Sequence, residues 1–145
     1  MAHHINIVFV CVENSNRSQM AEAFARLLGG EHVCAYSAGS RPSGTVNPKA
    51  IAALRGFDYD LSTHHSKSLD VLPSIEFDAV ITMGCGDACP HIRARFYDDW
   101  SLPDPSDLSP EDYSEICQTI RSRVKALLGD LGVAIDTAVA EKERT

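Results

Sequence analysis

"INIVFVCVENSNRSQMAEAFARLLGG", residues 5–30, decides the fold. Ile5 to Val10 is a continuous β-branched and aromatic run. Such a run marks a strand covered on both faces, because a strand with one wet face would alternate. The run ends on Cys11, passes through a short polar stretch, and resumes with Met20, Phe24, Leu27 and Leu28 at helical spacing. Gly29-Gly30 then stops the helix. The chain therefore leaves a strand on a thiol and enters a helix on an arginine.

The same alternation continues outward. "HVCAYSAG" reads as a second strand, and "NPKAIAALRGF" as a second helix with Asn47 as N-cap and Pro48 at its first position. "HHSKSLDVLPSI" predicts a short helix, "FDAVITMGC" a third buried strand and "RARFYDDW" a short fourth. The final helix opens at Ser109-Pro110 and turns Ile116, Ile120, Val124, Leu127 and Leu128 inward. Strands alternating with helices give an α/β fold, one domain over residues 1–131, with a four-stranded parallel sheet and helices on both faces. Residues 132–145 read as a C-terminal tail. In such a sheet ligands bind beyond the carboxyl ends of the strands, so Cys11, Ser37 and Cys85 are expected at one edge.

Composition narrows the function. The chain has 145 residues, 44% hydrophobic and 23% charged, and a net charge of −7. That balance argues against nucleic acid as a partner, since phosphate backbones require basic surface. No apolar run is long enough to cross a bilayer, and "MAHHINIVFVC" lacks the form of a signal peptide. A cytoplasmic, monomeric protein with no membrane partner is expected. His3 and His4 read as solvated terminal residues, and no resident metal is expected. The five cysteines are Cys11, Cys34, Cys85, Cys89 and Cys117. An odd count without a secretory signal is a poor disulfide framework, so each is judged alone. Cys34 and Cys117 read as packing residues.

The loop after Cys11 carries the chemistry. A strand, a tight polar loop and a helix N-terminus bring backbone amides and the helix dipole to one point, which suits an anion. Val12, Glu13, Asn14, Ser15, Asn16, Arg17 and Ser18 form the oxyanion-binding stretch. A thiol at the base of such a loop, ringed by amides and a cation, ionises readily. Arg17 offers a planar fork to two oxygens of a tetrahedral anion. Ser18 can hydrogen-bond the thiolate, and Asn14 tolerates a left-handed backbone and can hold the loop.

"VCVENSNRSQMAEAF" resembles the active-site loop of the low-molecular-weight tyrosine phosphatase superfamily. With "YSAGS", "VNPKAIAAL", "DAVITMGCGDACP" and "LPDP" added, the chain resembles more narrowly the arsenate reductases built on that fold, from about Ile5 to about Leu131. The resemblance implies Cys11 as nucleophile, Arg17 as oxyanion clamp, and Asp104 of "LPDP" as general acid. Many relatives carry a cysteine where this chain has Asn16. In some relatives a potassium ion sits beneath the loop, bound partly by a carboxylate. Here that position aligns with Lys67, whose ammonium group can stand in for the ion beside Glu22 and Ser37 as loop support.

Arsenate reduction would begin with attack of Cys11 on arsenate. A second thiolate must then attack the Cys11 sulfur, which directs attention to Cys85 and Cys89 in "MGCGDACP". Other readings of that pair are buried apolar packing, zinc binding with Cys11 and His91, or one active and one idle thiol. The external reductant would be thioredoxin, or a low-molecular-weight thiol with a glutaredoxin-like protein, with phosphate or sulfate as competing anions. Two alternatives stand beside reduction. One is a tyrosine phosphatase using Cys11, Arg17 and Asp104, although Pro105 and Ser106 follow Asp104 where an aryl-gripping tyrosine would be expected. The other is a non-enzymatic oxyanion or redox sensor. Asp104 also reads as a plain turn residue between two prolines.

Overall fold

The computed structural model describes residues 4–83, 92–102 and 109–133. Cys85, Cys89, His91, Asp104, Pro105, Ser106 and residues 134–145 lie outside the described residues, as does His3. Four strands form one sheet: β1 (Ile5–Cys11), β2 (Val33–Gly39), β3 (Ala79–Thr82) and β4 (Tyr97–Asp99). Their spatial order is β2-β1-β3-β4, and every pairing is parallel. The helices are α1 (Arg17–Gly29), α2 (Pro48–Arg55) and α3 (Pro110–Asp130).

β1 is central, and its alternation splits the core in two. Ile7, Phe9 and Cys11 join the larger cluster, to which α1, α2 and α3 contribute. Val8 and Val10 face the opposite side with Phe77 and Val80. Each fully buried aliphatic or aromatic side chain contributes about 1.5–3 kcal/mol of transfer free energy. That burial on both sides explains the unbroken apolar run. After β2 the chain crosses past β1 to reach β3. The crevice where the strand order reverses therefore lies at the carboxyl ends of β1 and β3, where Cys11 emerges.

α2 and α3 begin as their sequences predict. Asn47 accepts a hydrogen bond from the Lys49 amide, and Ser109 accepts one from the Asp112 amide. The buried stripe of α3 is Tyr113, Cys117, Ile120, Val124, Leu127 and Leu128, with Ile116 only half-buried. The stretch expected as a short helix around "HHSKSLDVLPSI" is one 3-10 turn, Leu69–Val71. Leu72 is extended before Pro73, as the ring of a following proline requires. Upstream, the Lys67 amide donates to Asn14 Oδ1 in the loop, and the Lys67 carbonyl and the Gly39–Ser68 bridge join the end of β2, so the backbone bonds elsewhere instead of to itself. This turn contributes Leu69 to the cover of the second face.

Gly39 ends β2 opposite Cys11 and lies directly against the loop. A Cβ there would sit 2.4 Å from the Val12 carbonyl oxygen and 2.9 Å from that of Cys11. Backbone atoms cannot yield as a side-chain tip can. Gly39→Ala is expected to displace the loop, to destabilise the fold by about 1–3 kcal/mol, and to weaken phosphate binding. Thermal melts and phosphate titration of the purified variant check this.

Candidate active site

The loop is held from outside by its carbonyls. Val12 O accepts from the Arg41 amide at 2.8 Å, and Glu13 O from the Ser43 amide and the Ser66 hydroxyl. Asn14 O accepts from Gln19 Nε2, Ser15 O from the Asn47 amide, and Asn16 O from the Met20 amide. In a planar trans peptide, the N–H of the next residue points opposite to the carbonyl. The amides of residues 13–17 are thereby turned away from these outer partners, toward the inside of the loop. Val12, Glu13, Ser15, Asn16 and Arg17 line a cavity there of about 250 Å³.

α1 adds its positive end. Asn16 occupies the N-cap position without a side-chain capping bond, and the first turn carries no acidic residue. The Asn16 side chain is turned instead to α3, where its Oδ1 accepts from the Tyr113 hydroxyl at 2.8 Å. The helix N-terminus thus keeps its field for an anion.

Beneath the loop, Asn14 is fully buried with φ 52°. Its Oδ1 accepts from the Lys67 amide and from Gln19 Nε2, and its Nδ2 donates to Ser18 Oγ at 2.8 Å. Ser18 Oγ lies 2.8 Å from Cys11 Sγ. Because Ser18 Oγ accepts from Asn14, its own proton is directed at the sulfur.

Arg17 is anchored by one nitrogen, Nη1, which donates to Met83 O at 2.9 Å and Leu102 O at 2.7 Å. These carbonyls stand two positions before Cys85 and two before Asp104 in the sequence. The edge formed by Nε and Nη2 is the one that pairs with two oxygens of an oxyanion.

Glu22, only 4% exposed, organises a second polar layer. Ser37 Oγ donates to its Oε1 at 2.6 Å, and Arg26 pairs with its Oε2 at 2.9 Å. Lys67 Nζ lies 3.6 Å from Glu22 Oε1, 3.4 Å from Ser37 Oγ and 2.8 Å from His65 O. His64 Nδ1 is 3.5 Å from Glu22 Oε2. Gln19, Tyr59, His64 and Tyr113 escaped the sequence reading. Gln19 and Glu22 gave one usable signal, two polar residues a turn apart on a helix otherwise buried with alanines, Met20 and Phe24.

Cys117 is buried and its thiol is pushed up to about 12 by desolvation, which makes it inert. Cys34 is half-buried, 3.7 Å from His4 Nδ1 and remote from the loop in strand register.

A family profile described as low molecular weight phosphotyrosine protein phosphatase matches residues 6–143. The chain belongs to this family. Within the family its similar relatives bear another activity in their names. The chain is 34% identical over 128 residues to a glutaredoxin arsenate reductase of Synechocystis, covering 86% of this chain and 97% of the relative. A solved structure described as an arsenate reductase in the phosphate binding state aligns with a TM-score of 0.80 at 33% identity, over 87% of this chain and 98% of the other. A thioredoxin-dependent arsenate reductase of Corynebacterium glutamicum aligns with a TM-score of 0.74 at 30% identity, over 90% of this chain and 63% of the other.

Burial makes the second layer pH-sensitive. Desolvation lowers the His64 pKa; Glu22 opposes this, while Arg26, Lys67 and His65 add to it. An unfolded histidine takes up a proton near pH 6.5 and the folded His64 only below that. The unfolded state then binds more protons in that window, so stability is full above about pH 6.5 and falls as pH drops through it. The melting temperature of wild type is expected to decline through this window, and that of His64→Gln to decline less. Melts at several pH values check the difference.

Proposed function

We propose that this chain reduces arsenate to arsenite for arsenic detoxification, with Cys11 as nucleophile. The observation that carries this reading is the Cys11 sulfur at the base of an amide-lined anion loop, held as a hydrogen-bond acceptor by Ser18. The names of the family relatives supply the substrate.

The Cys11 thiolate attacks arsenic and displaces one oxygen as water, with Asp104 as the proton donor. Loop amides and Arg17 hold the remaining oxygens. A second thiolate, from Cys85 or Cys89 or from an external thiol, attacks the Cys11 sulfur. A disulfide forms, the S–As bonding pair passes to arsenic, and arsenite leaves as As(V) becomes As(III). Thioredoxin, or a small thiol with a glutaredoxin-like protein, returns the disulfide to thiols. Phosphate and sulfate compete for the same loop. A cytoplasmic, reducing setting suits this chemistry, and no described helix is long and apolar enough to cross a membrane.

Aryl-phosphate hydrolysis shares only the first half of this route. The first tyrosine that follows Asp104 in the sequence is Tyr113, and it is buried against Asn16 rather than offered to a substrate. A slow residual phosphatase activity is expected from the shared loop.

Loop support falls to Glu22, Ser37 and Lys67. The Lys67 ammonium lies among the Glu22, Ser37 and His65 oxygens, so a potassium ion does not fit there beside it. Lys67 supplies the positive charge in its place.

Fully reduced protein mixed with arsenate, without added thiol, is expected to release arsenite and to lose thiols in pairs. Cys11→Ser is expected to release none, and Cys85→Ser with Cys89→Ser to require a small thiol and its glutaredoxin-like partner. Hydrolysis of aryl phosphate with no arsenite under any donor would overturn the proposal. For Lys67, turnover is expected to be equal in potassium and sodium buffers, whereas Lys67→Asp should become potassium-dependent. A severalfold preference of wild type for potassium would reject the built-in charge.

A further inference from the structure

Asparagine is among the strongest N-cap residues, because its short side chain reaches the backbone amides two and three positions on. α2 uses it in this way. Asn47 is extended, at φ −63° and ψ 129°, and its side chain accepts from the Lys49 amide at 2.8 Å. Asn16 stands at the same position before α1 and makes no such bond. Its φ of −126° and ψ of −88° lie outside the extended range that a capping residue adopts. Its side chain is turned to α3 instead, where Oδ1 accepts from the Tyr113 hydroxyl at 2.8 Å. Both residues are buried. The tyrosine is held at its backbone, in the first turn of α3: its amide donates to Ser109 O at 2.8 Å, and the Ser109 hydroxyl accepts from the Asp112 amide.

We propose that Tyr113 is a positioning residue for the anion loop, holding Asn16 so that it does not cap α1. Asn16 Oδ1 carries a partial negative charge and seeks the same donors as an oxyanion. As an ordinary cap it would take the amide of Ser18 or Gln19, at the positive end of the helix and beside the cavity that Asn16 and Arg17 line. An incoming anion would then have to displace it. The Tyr113 hydroxyl gives that oxygen another donor, from α3, and leaves the first amides of α1 to the anion. A buried hydroxyl–amide bond and an asparagine cap are of similar strength, so loss of the hydroxyl lets the cap compete. A residue on α3 thereby sets how open the helix end behind the loop is, across 97 positions of sequence.

The role of Tyr113 rests on that of the loop as an anion site, but phosphate binding is read without arsenate or turnover, so reduction can fail while this role stands. Dissociation constants for inorganic phosphate are measured by titration calorimetry on wild type, Tyr113→Phe, Asn16→Ala and the double variant. Tyr113→Phe keeps the ring and its packing and is expected to raise Kd about fivefold, the equivalent of one asparagine cap. In the Asn16→Ala background no capping oxygen remains, and the same change should raise Kd by less than about twofold. The double variant should also bind phosphate more tightly than Tyr113→Phe alone. Should Tyr113→Phe fail to fold, Tyr113→Met, which fills the space without a hydroxyl, replaces it in the same cycle. A Kd raised equally in both backgrounds would assign Tyr113 to the packing of α3 and overturn the proposal. So would a Tyr113→Phe Kd equal to that of wild type, or a double variant that binds more weakly than Tyr113→Phe. Absence of phosphate binding by wild type would overturn the anion loop itself, and the role of Tyr113 with it.

Discussion

The outward hydrogen bonding of the loop carbonyls from Val12 to Asn16 is the constraint on which the rest of the structure depends. A short loop of free amides would otherwise turn some carbonyls toward the sulfur and repel an anion. Arg41, Ser43, Asn47 and Ser66 lie outside the loop, and together they fix three peptide orientations, those of the Val12, Glu13 and Ser15 carbonyls. Leaving a carbonyl of a buried residue such as Ser15 without a partner would cost about 1–3 kcal/mol. The orientation of the loop amides therefore arises from packing around the loop as much as from the loop's own residues.

Below the loop the protein buries a carboxylate, an imidazole and several amides under an apolar sheet. Such a layer is costly unless nearly every group finds a partner. Glu22 meets Ser37, Arg26, Lys67 and His64, and Asn14 meets Lys67, Gln19 and Ser18. The layer couples the floor of the loop to α1 and to the segment carrying His64 and Lys67. A satisfied network of this kind is rigid, and rigidity is what a preorganised oxyanion site requires. Arg17 adds a second coupling, since the nitrogen on Met83 and Leu102 ties the clamp to the exits of β3 and β4.

This arrangement explains how one scaffold can serve two chemistries. In the proposed mechanism the loop and its arginine stabilise attack of sulfur on a tetrahedral oxyanion, whichever element lies at its centre. The fate of the covalent intermediate depends on its neighbours: water gives hydrolysis, and a thiol gives reduction. The reducing reading draws on Cys85 and Cys89 in the sequence, and on relatives whose names carry that activity.

The α/β class and the candidate loop were legible in the residues alone, because they depend on local pattern. An unbroken apolar run, Cys11 at its end, Arg17 six positions on and a helical repeat behind it can be read without neighbours. The caps at Asn47 and Ser109 are equally local. Gln19, Tyr59, His64 and Tyr113 were not legible, because each matters through contacts that only the folded chain makes. Tyr113 reaches Asn16 across 97 positions, and His64 reaches Gln19 across 45. The helix expected around "HHSKSLDVLPSI" gave way to an extended segment for the same reason, since Asn14 and Gly39 took its backbone groups. Local periodicity chooses elements, but the pairing of buried polar groups is a long-range problem that only the assembled chain can solve.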